Sequence, residues 1–115
     1  MPAFRITITE DADDHLRSLP ARDQRQIETA IQSRLIHEPT MPTRAVKPLR
    51  SNPLAQYELR VGDLRVLYNV EGDEVVLLVV GRKVGNKLVV KGQEFHAHQD
   101  DPPKPPGSQP AGDAQ

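Results

Sequence analysis

Cysteine is absent from the 115 residues, which excludes a disulfide framework and any zinc site built on thiolates. Tryptophan is missing as well. Two phenylalanines and two tyrosines are too few to make a platform on which bases could stack. The longest apolar run, Val75–Val80, falls far short of a membrane span. No basic segment followed by an apolar stretch opens the chain, so a soluble cytoplasmic protein with no membrane partner is expected. His96 and His98 stand at i, i+2 with no third ligand nearby, so neither a metal nor any other cofactor is expected.

What remains is one domain with enough chain for a real core. Its formal net charge of −1 argues against a polyanionic partner until the distribution is considered. Between Arg44 and Lys91 there are nine basic residues against five acids, whereas residues 5–43 carry five basic and seven acidic. Local field governs where a polyanion lands, and the basic half is the place to look.

Residues 57–83 read as three consecutive strands. Gly62-Asp63 has the composition of a two-residue type II′ hairpin turn, and Gly72-Asp73 sits at the next reversal. Pairing across the first turn sets Val61 against Leu64, Arg60 against Arg65, Leu59 against Val66 and Glu58 against Leu67. Carried through the second turn without interruption, the same counting sets Arg65 opposite Val80 and brings Arg82 to the side of Arg60 and Arg65. One face then holds Tyr57, Leu59, Val61, Leu64, Val66, Tyr68, Val70, Val75, Leu77 and Val79 as core. The other holds Glu58, Arg60, Arg65, Leu67, Asn69, Val76, Leu78, Val80 and Arg82. Lys83 falls on the core parity unless the strand has ended or bulged. Like charges facing each other across a ladder cost from a few tenths to about 1 kcal/mol. Arg60 opposite Arg65 therefore points to an anion site, phosphate above all, for which arginine offers a rigid fork of donors. The plainer reading has the arginines splayed in solvent, with Glu58 neutralising one.

Phe4–Ile8 alternates apolar and polar as a first strand. Thr9 can cap a helix that buries Ala12, Leu16 and Leu19, and Pro20 opens a second with Ile27, Ala30, Ile31 and Leu35 inside. This order gives an α+β fold: an antiparallel meander with an N-terminal strand, and a two-helix hairpin packed on one face. Glu38–Pro53, with four prolines, reads as an irregular connection. Gly85-Asn86 is a turn before a short strand, Leu88–Val90, and Lys83, Lys87 and Lys91 recur every fourth residue around it, at the rim of the basic face. The domain is placed at residues 1–99. Residues 100–115, with five prolines and no large apolar side chain, read as a disordered tail.

The helix pair, Lys47-Pro48-Leu49-Arg50, the stretch Leu59–Tyr68 and Val79-Val80-Gly81-Arg82-Lys83 together resemble the RelE/ParE toxin superfamily of bacterial type II toxin–antitoxin systems, over residues 4 to about 91. The resemblance implies a toxin, in its RelE-like form a ribosome-dependent endoribonuclease that cuts messenger RNA and inhibits translation. The partners implied are a cognate antitoxin, the ribosome and mRNA. In that reaction a ribose 2′-hydroxyl attacks the adjacent phosphate, which needs charge stabilisation, a base and an acid. Carried over, Arg65 contacts the phosphate, Arg60 does base or charge-stabilising work, and Arg82 and Lys83 match the basic pair ending the last meander strand. Lys47, Arg50, Lys87 and Lys91 are the expected RNA contacts. Three departures stand out. Glu58 replaces a basic residue and serves as base or as a partner for Arg60, the latter being favoured. Lys47 replaces a carboxylate used by some relatives. Leu88-Val89-Val90 lies where a tyrosine or histidine acid is common, leaving His96 or His98 to substitute if the chain folds back. The alternatives are a ParE-like inhibitor of DNA gyrase and a degenerate relative that binds antitoxin without toxicity. The nuclease reading hangs on Arg60, Arg65 and Arg82 gathering on one side of the sheet, free of internal carboxylate pairs; without that, only the kinship remains.

Overall fold

Thr9 accepts a hydrogen bond from the backbone N–H of Ala12 at 3.1 Å, closing the first turn of a helix whose acidic residues sit at its positive end. From such local rules the chain builds, in a computed structural model describing residues 3–50, 52 and 54–95, a helical pair on one face of a seven-stranded sheet. The elements are β1 (Arg5–Ile8), α1 (Glu10–Arg17), α2 (Ala21–Ala30), β2 (Val46–Pro48), β3 (Tyr57–Val61), β4 (Leu64–Glu71), β5 (Glu74–Val84), β6 (Lys87–Val90) and β7 (Gln93–Phe95). The strands run β2-β3-β4-β5-β6-β7 across the sheet, and β1 pairs in parallel with the first half of β5. The meander itself is antiparallel throughout. The α+β fold is that expected.

Helix α2 continues into a π-helical turn, Ile31–Leu35, in which the Ile36 N–H reaches back to the Ile31 carbonyl at 3.2 Å. Ile27, Ile31 and Leu35 are spaced by four, which gains rotation on a period of about 3.6. The wider turn takes that rotation back, so all three stay buried against the sheet. Facing them are Leu59, Leu64, Val66, Tyr68, Leu77 and Val80. The phenol of Tyr68 is fully buried and donates to the Pro39 carbonyl at 2.5 Å. Its ring stacks on Tyr57 with centroids 5.5 Å apart. That bond ties the proline-rich connection to the sheet, and burial pushes the Tyr68 hydroxyl well above the ordinary phenol range.

Two strands go beyond the sequence reading. The connection read as irregular contains β2, pairing Val46 with Leu59 and Lys47 with Glu58. After β6 the chain reverses through Lys91-Gly92, both at positive φ, 53° and 79°, as a type I′ turn requires. The strand β7 that follows pairs back on β6.

The first hairpin has the expected register, Arg60 opposite Arg65 included, and Gly62 sits at φ 60°. The second begins as expected, with Val70 opposite Val75, but does not stay so. Leu67 pairs with Val79 and Tyr68 with Leu77, leaving Leu78 as a one-residue bulge in β5. Everything beyond Leu78 changes sides. Val80 joins the main core, and Val79 joins a smaller cluster on the far face with Ala55, Leu67 and Val90. Arg65 lies opposite Gly81, not Val80, and Arg82 lies opposite Leu64 on the helix side. The reason is the all-apolar run Val75–Val80, which has no polar–apolar alternation to pin its register. The expected placements of Val79, Val80 and Arg82 are corrected accordingly.

Candidate functional site: a basic cleft on the open face

The face of the sheet away from the helices carries a cleft of about 180 Å³ lined by Lys47, Leu49, Glu58, Arg60, Arg65, Lys83, Asn86, Lys87 and Leu88. Side chains from five successive strands reach it. Lys47 on β2 lies across from Glu58, Arg60 on β3 from Arg65 on β4, and Lys83 on β5 from Leu88 on β6. Five cations thus surround one carboxylate.

Their partners differ. Arg60 Nε donates to Glu58 Oε1 at 3.1 Å, the pairing favoured from the sequence. With the Arg60 side chain 37% exposed, such a bond contributes about 0–1 kcal/mol, which an incoming phosphate can replace. Arg65 has no ion pair among the described residues. Its Nη1 donates to the carbonyls of Gly62 and Leu64, both at 2.8 Å, and its Nε is buried without a partner. Lys47 and Lys83 are exposed and make no ion pair among the described residues, whereas Lys87 lies 3.6 Å from Glu94. A concave surface whose lining is positive in balance concentrates field and draws anions.

Arg82 is not part of this site. It reaches across the helix side to Asp63, with both carboxylate oxygens at 2.8 Å, and to Asp23 in the first turn of α2. The arrangement of three arginines on one face is therefore overturned twice, by side and by internal pairing, and the nuclease reading built on those three falls with it; an anion site on this sheet rests on a different set of cations. Lys83, the weaker assignment by parity, takes the place in the cleft expected of Arg82. Of the further expected contacts, Lys47 and Lys87 line the cleft. Lys91 turns to the helix side and pairs with Asp14 of α1 at 2.5 Å, because the reversal at Lys91-Gly92 directs it there. Arg50 is exposed and outside the lining. His96, His98 and the 100–115 tail lie outside the described residues. Asn86, which the sequence offers only as a turn residue, is part of the cleft lining.

Residues 6–83 match the family of ParE toxins of type II toxin–antitoxin systems (ParDE). The chain belongs to that family, within the RelE/ParE superfamily. Among solved structures it is similar to a chain of the toxin–antitoxin complex RelBE2 from Mycobacterium tuberculosis. The identity is 28% and the TM-score 0.62, over 72% of this chain and 100% of that one. It is also similar to a chain of the archaeal RelE–RelB complex from Pyrococcus horikoshii OT3, with 25% identity and a TM-score of 0.56, over 69% and 93% of the two chains. No curated protein sequence matches. Among the described residues no helix is long and apolar enough to cross a membrane.

Proposed function

We propose that this toxin inhibits translation as a ribosome-dependent endoribonuclease, gripping the phosphate backbone of mRNA in the cleft of the open sheet face. The carrying observation is the convergence of Lys47, Arg60, Arg65, Lys83 and Lys87 around the single carboxylate of Glu58. In the reaction the ribose 2′-oxygen bonds to phosphorus and loses its proton to a base. The bond to the 5′-oxygen breaks, and that oxygen takes a proton from water, so that a cyclic phosphate and a 5′-hydroxyl result. Arg65 and Lys83 stabilise charge on the phosphoryl oxygens, and Arg60 joins them when phosphate displaces Glu58. Glu58, once released, is the cleft's candidate to take the 2′-hydroxyl proton. Arg82 has no place in this scheme. The two solved structures named above are toxin–antitoxin complexes, which supports a cognate antitoxin as partner. Val76 and Leu78 are half-buried on the open face and offer it apolar ground, whereas Val80 is buried in the core and does not.

The test is expression of Arg65→Ala and Lys83→Ala variants, with growth and mRNA ends mapped on ribosomes. Loss of arrest and of cleavage, with the variants folded, is the expected result, and retained cleavage in Arg65→Ala refutes the reading. A second reading, inhibition of DNA gyrase, is favoured by the match to ParE toxins and by a cleft without histidine or tyrosine among its described residues. Inhibited supercoiling in vitro with intact mRNA decides for it.

A further inference from the structure

Arg82 stands outside the cleft yet is joined to two of its cations through one turn. Asp63, whose carboxylate Arg82 chelates, is the second residue of the Gly62-Asp63 reversal between β3 and β4. The Asp63 carbonyl accepts the backbone N–H of Lys83 at 2.7 Å. On the other face, the carbonyls of Gly62 and Leu64 hold Arg65 Nη1, and nothing else among the described residues bonds that guanidinium. The turn is therefore the common anchor of Lys83, by its main chain, and of Arg65, by its side chain. Arg82 ties the turn in place from behind, because its second nitrogen is bonded to Asp23 on α2. The hydrogen bond from Arg82 also holds the Asp63 carboxyl below its usual range.

We propose that Arg82 is a positioning residue: by clamping Asp63 between β5 and α2, it fixes the turn that aims Arg65 and Lys83 at a phosphodiester. The inference rests on the RNA reading above. Nη1 makes both bonds to the Asp63 carboxylate and Nη2 makes the one to Asp23, so the clamp uses two nitrogens held apart in one plane, where an ammonium offers a single nitrogen.

The experiment uses the full chain and three variants, Arg82→Gln, Asp63→Asn and the double substitution. It reads the dissociation constant for a single-stranded RNA oligonucleotide at fixed salt, hydrogen exchange at the Lys83 amide, and the NMR resonance of Arg65 Nε–H. Each single variant is expected to weaken RNA binding about tenfold, and the double variant no more than either, because all three remove one clamp. Lys83 exchange accelerates and the Arg65 signal moves, while the ring signals of Tyr57 and Tyr68 stay in place, which a general loosening of the fold would not allow. Additive losses overturn the proposal. So does wild-type binding in Asp63→Asn beside loss in Arg82→Gln, which would mean that Arg82 touches RNA itself. Unchanged Lys83 exchange and Arg65 signal overturn it too. Should Arg82→Gln fail to fold, Asp63→Asn carries the same expectations. If Arg65→Ala binds RNA as wild type does, the RNA reading falls by itself, and exchange and resonance still judge the clamp.

Discussion

Replacing Gly81 by alanine tests how closely β6 crosses the sheet. A Cβ built at Gly81 would stand 2.6 Å from the Val89 carbonyl oxygen, 2.9 Å from Val90 Cγ2 and 3.2 Å from Leu88 Cδ1. The side-chain contacts can yield by rotation, but the nearest atom is backbone, so strand β6 itself has to move. Overpacking of this kind costs about 1–3 kcal/mol. A rigid neighbour argues for the upper half, and the lower entropy of an unfolded alanine returns about 0.5–1 kcal/mol. A net loss of about 2 kcal/mol is expected, or about 8–16 °C in Tm for a domain of this size. Urea unfolding with an unchanged m-value measures it. The control is Gly62, at φ 60° with nothing within 4 Å of an added Cβ. Alanine there costs about 1–2 kcal/mol through backbone strain alone. Asparagine, which tolerates the left-handed region, recovers part of that loss at position 62 and worsens it at 81. A Gly81→Ala protein within about 0.5 kcal/mol of wild type, or Gly62→Asn as costly as Gly62→Ala, refutes the reasoning.

Tyr68→Phe leaves the Pro39 carbonyl unpaired in the interior and is expected to cost about 1–3 kcal/mol in the same assay; equal stability would mean that water or a shifted loop replaces the bond. Burial lowers the His15 pKa, outweighing Asp11 and Asp14, which raise it, while Lys91 adds to the lowering. The unfolded chain therefore takes up its proton first. The His15 contribution is complete above the ordinary value of 6.5 and fades as pH falls toward the lower folded value. Protonation also ends the role of His15 Nδ1 as acceptor for the Val80 N–H. Unfolding midpoints at pH 7.5 and 5.5 should differ in wild type and converge in His15→Gln, and an equal drop in both refutes the assignment. Glu58→Gln frees Arg60 and removes the cleft's only carboxylate, so RNA oligonucleotide binding should tighten severalfold at low salt and cleavage should fall. Unchanged cleavage excludes Glu58 as base.

Much of this molecule could be read before folding because its signals are local. The Gly62-Asp63 turn sets the register of β3 against β4, so the Arg60–Arg65 pair, half of the cleft, followed from two residues. Thr9, Pro20 and the spacing of Ile27, Ile31 and Leu35 delimited the helices for similar reasons. The other half depended on β5, where six apolar residues in a row satisfy either face equally. Position along that run cannot reveal where one residue is extruded, and so Arg82 and Lys83 were exchanged. The edge strands β2 and β7 were missed for a different reason. Each is three residues long, one among prolines and one behind a lysine at positive φ, a conformation few lysines adopt.

The extruded leucine has an evolutionary reach larger than its size. Shortening β5 by that one amino acid would trade the two neighbouring cations between opposite surfaces without altering either side chain, and would take the clamp off the Asp63 turn. Which of them meets solvent and which meets helix α2 is therefore inherited as a count of residues, and a gain or loss of one codon in this strand acts as a double substitution.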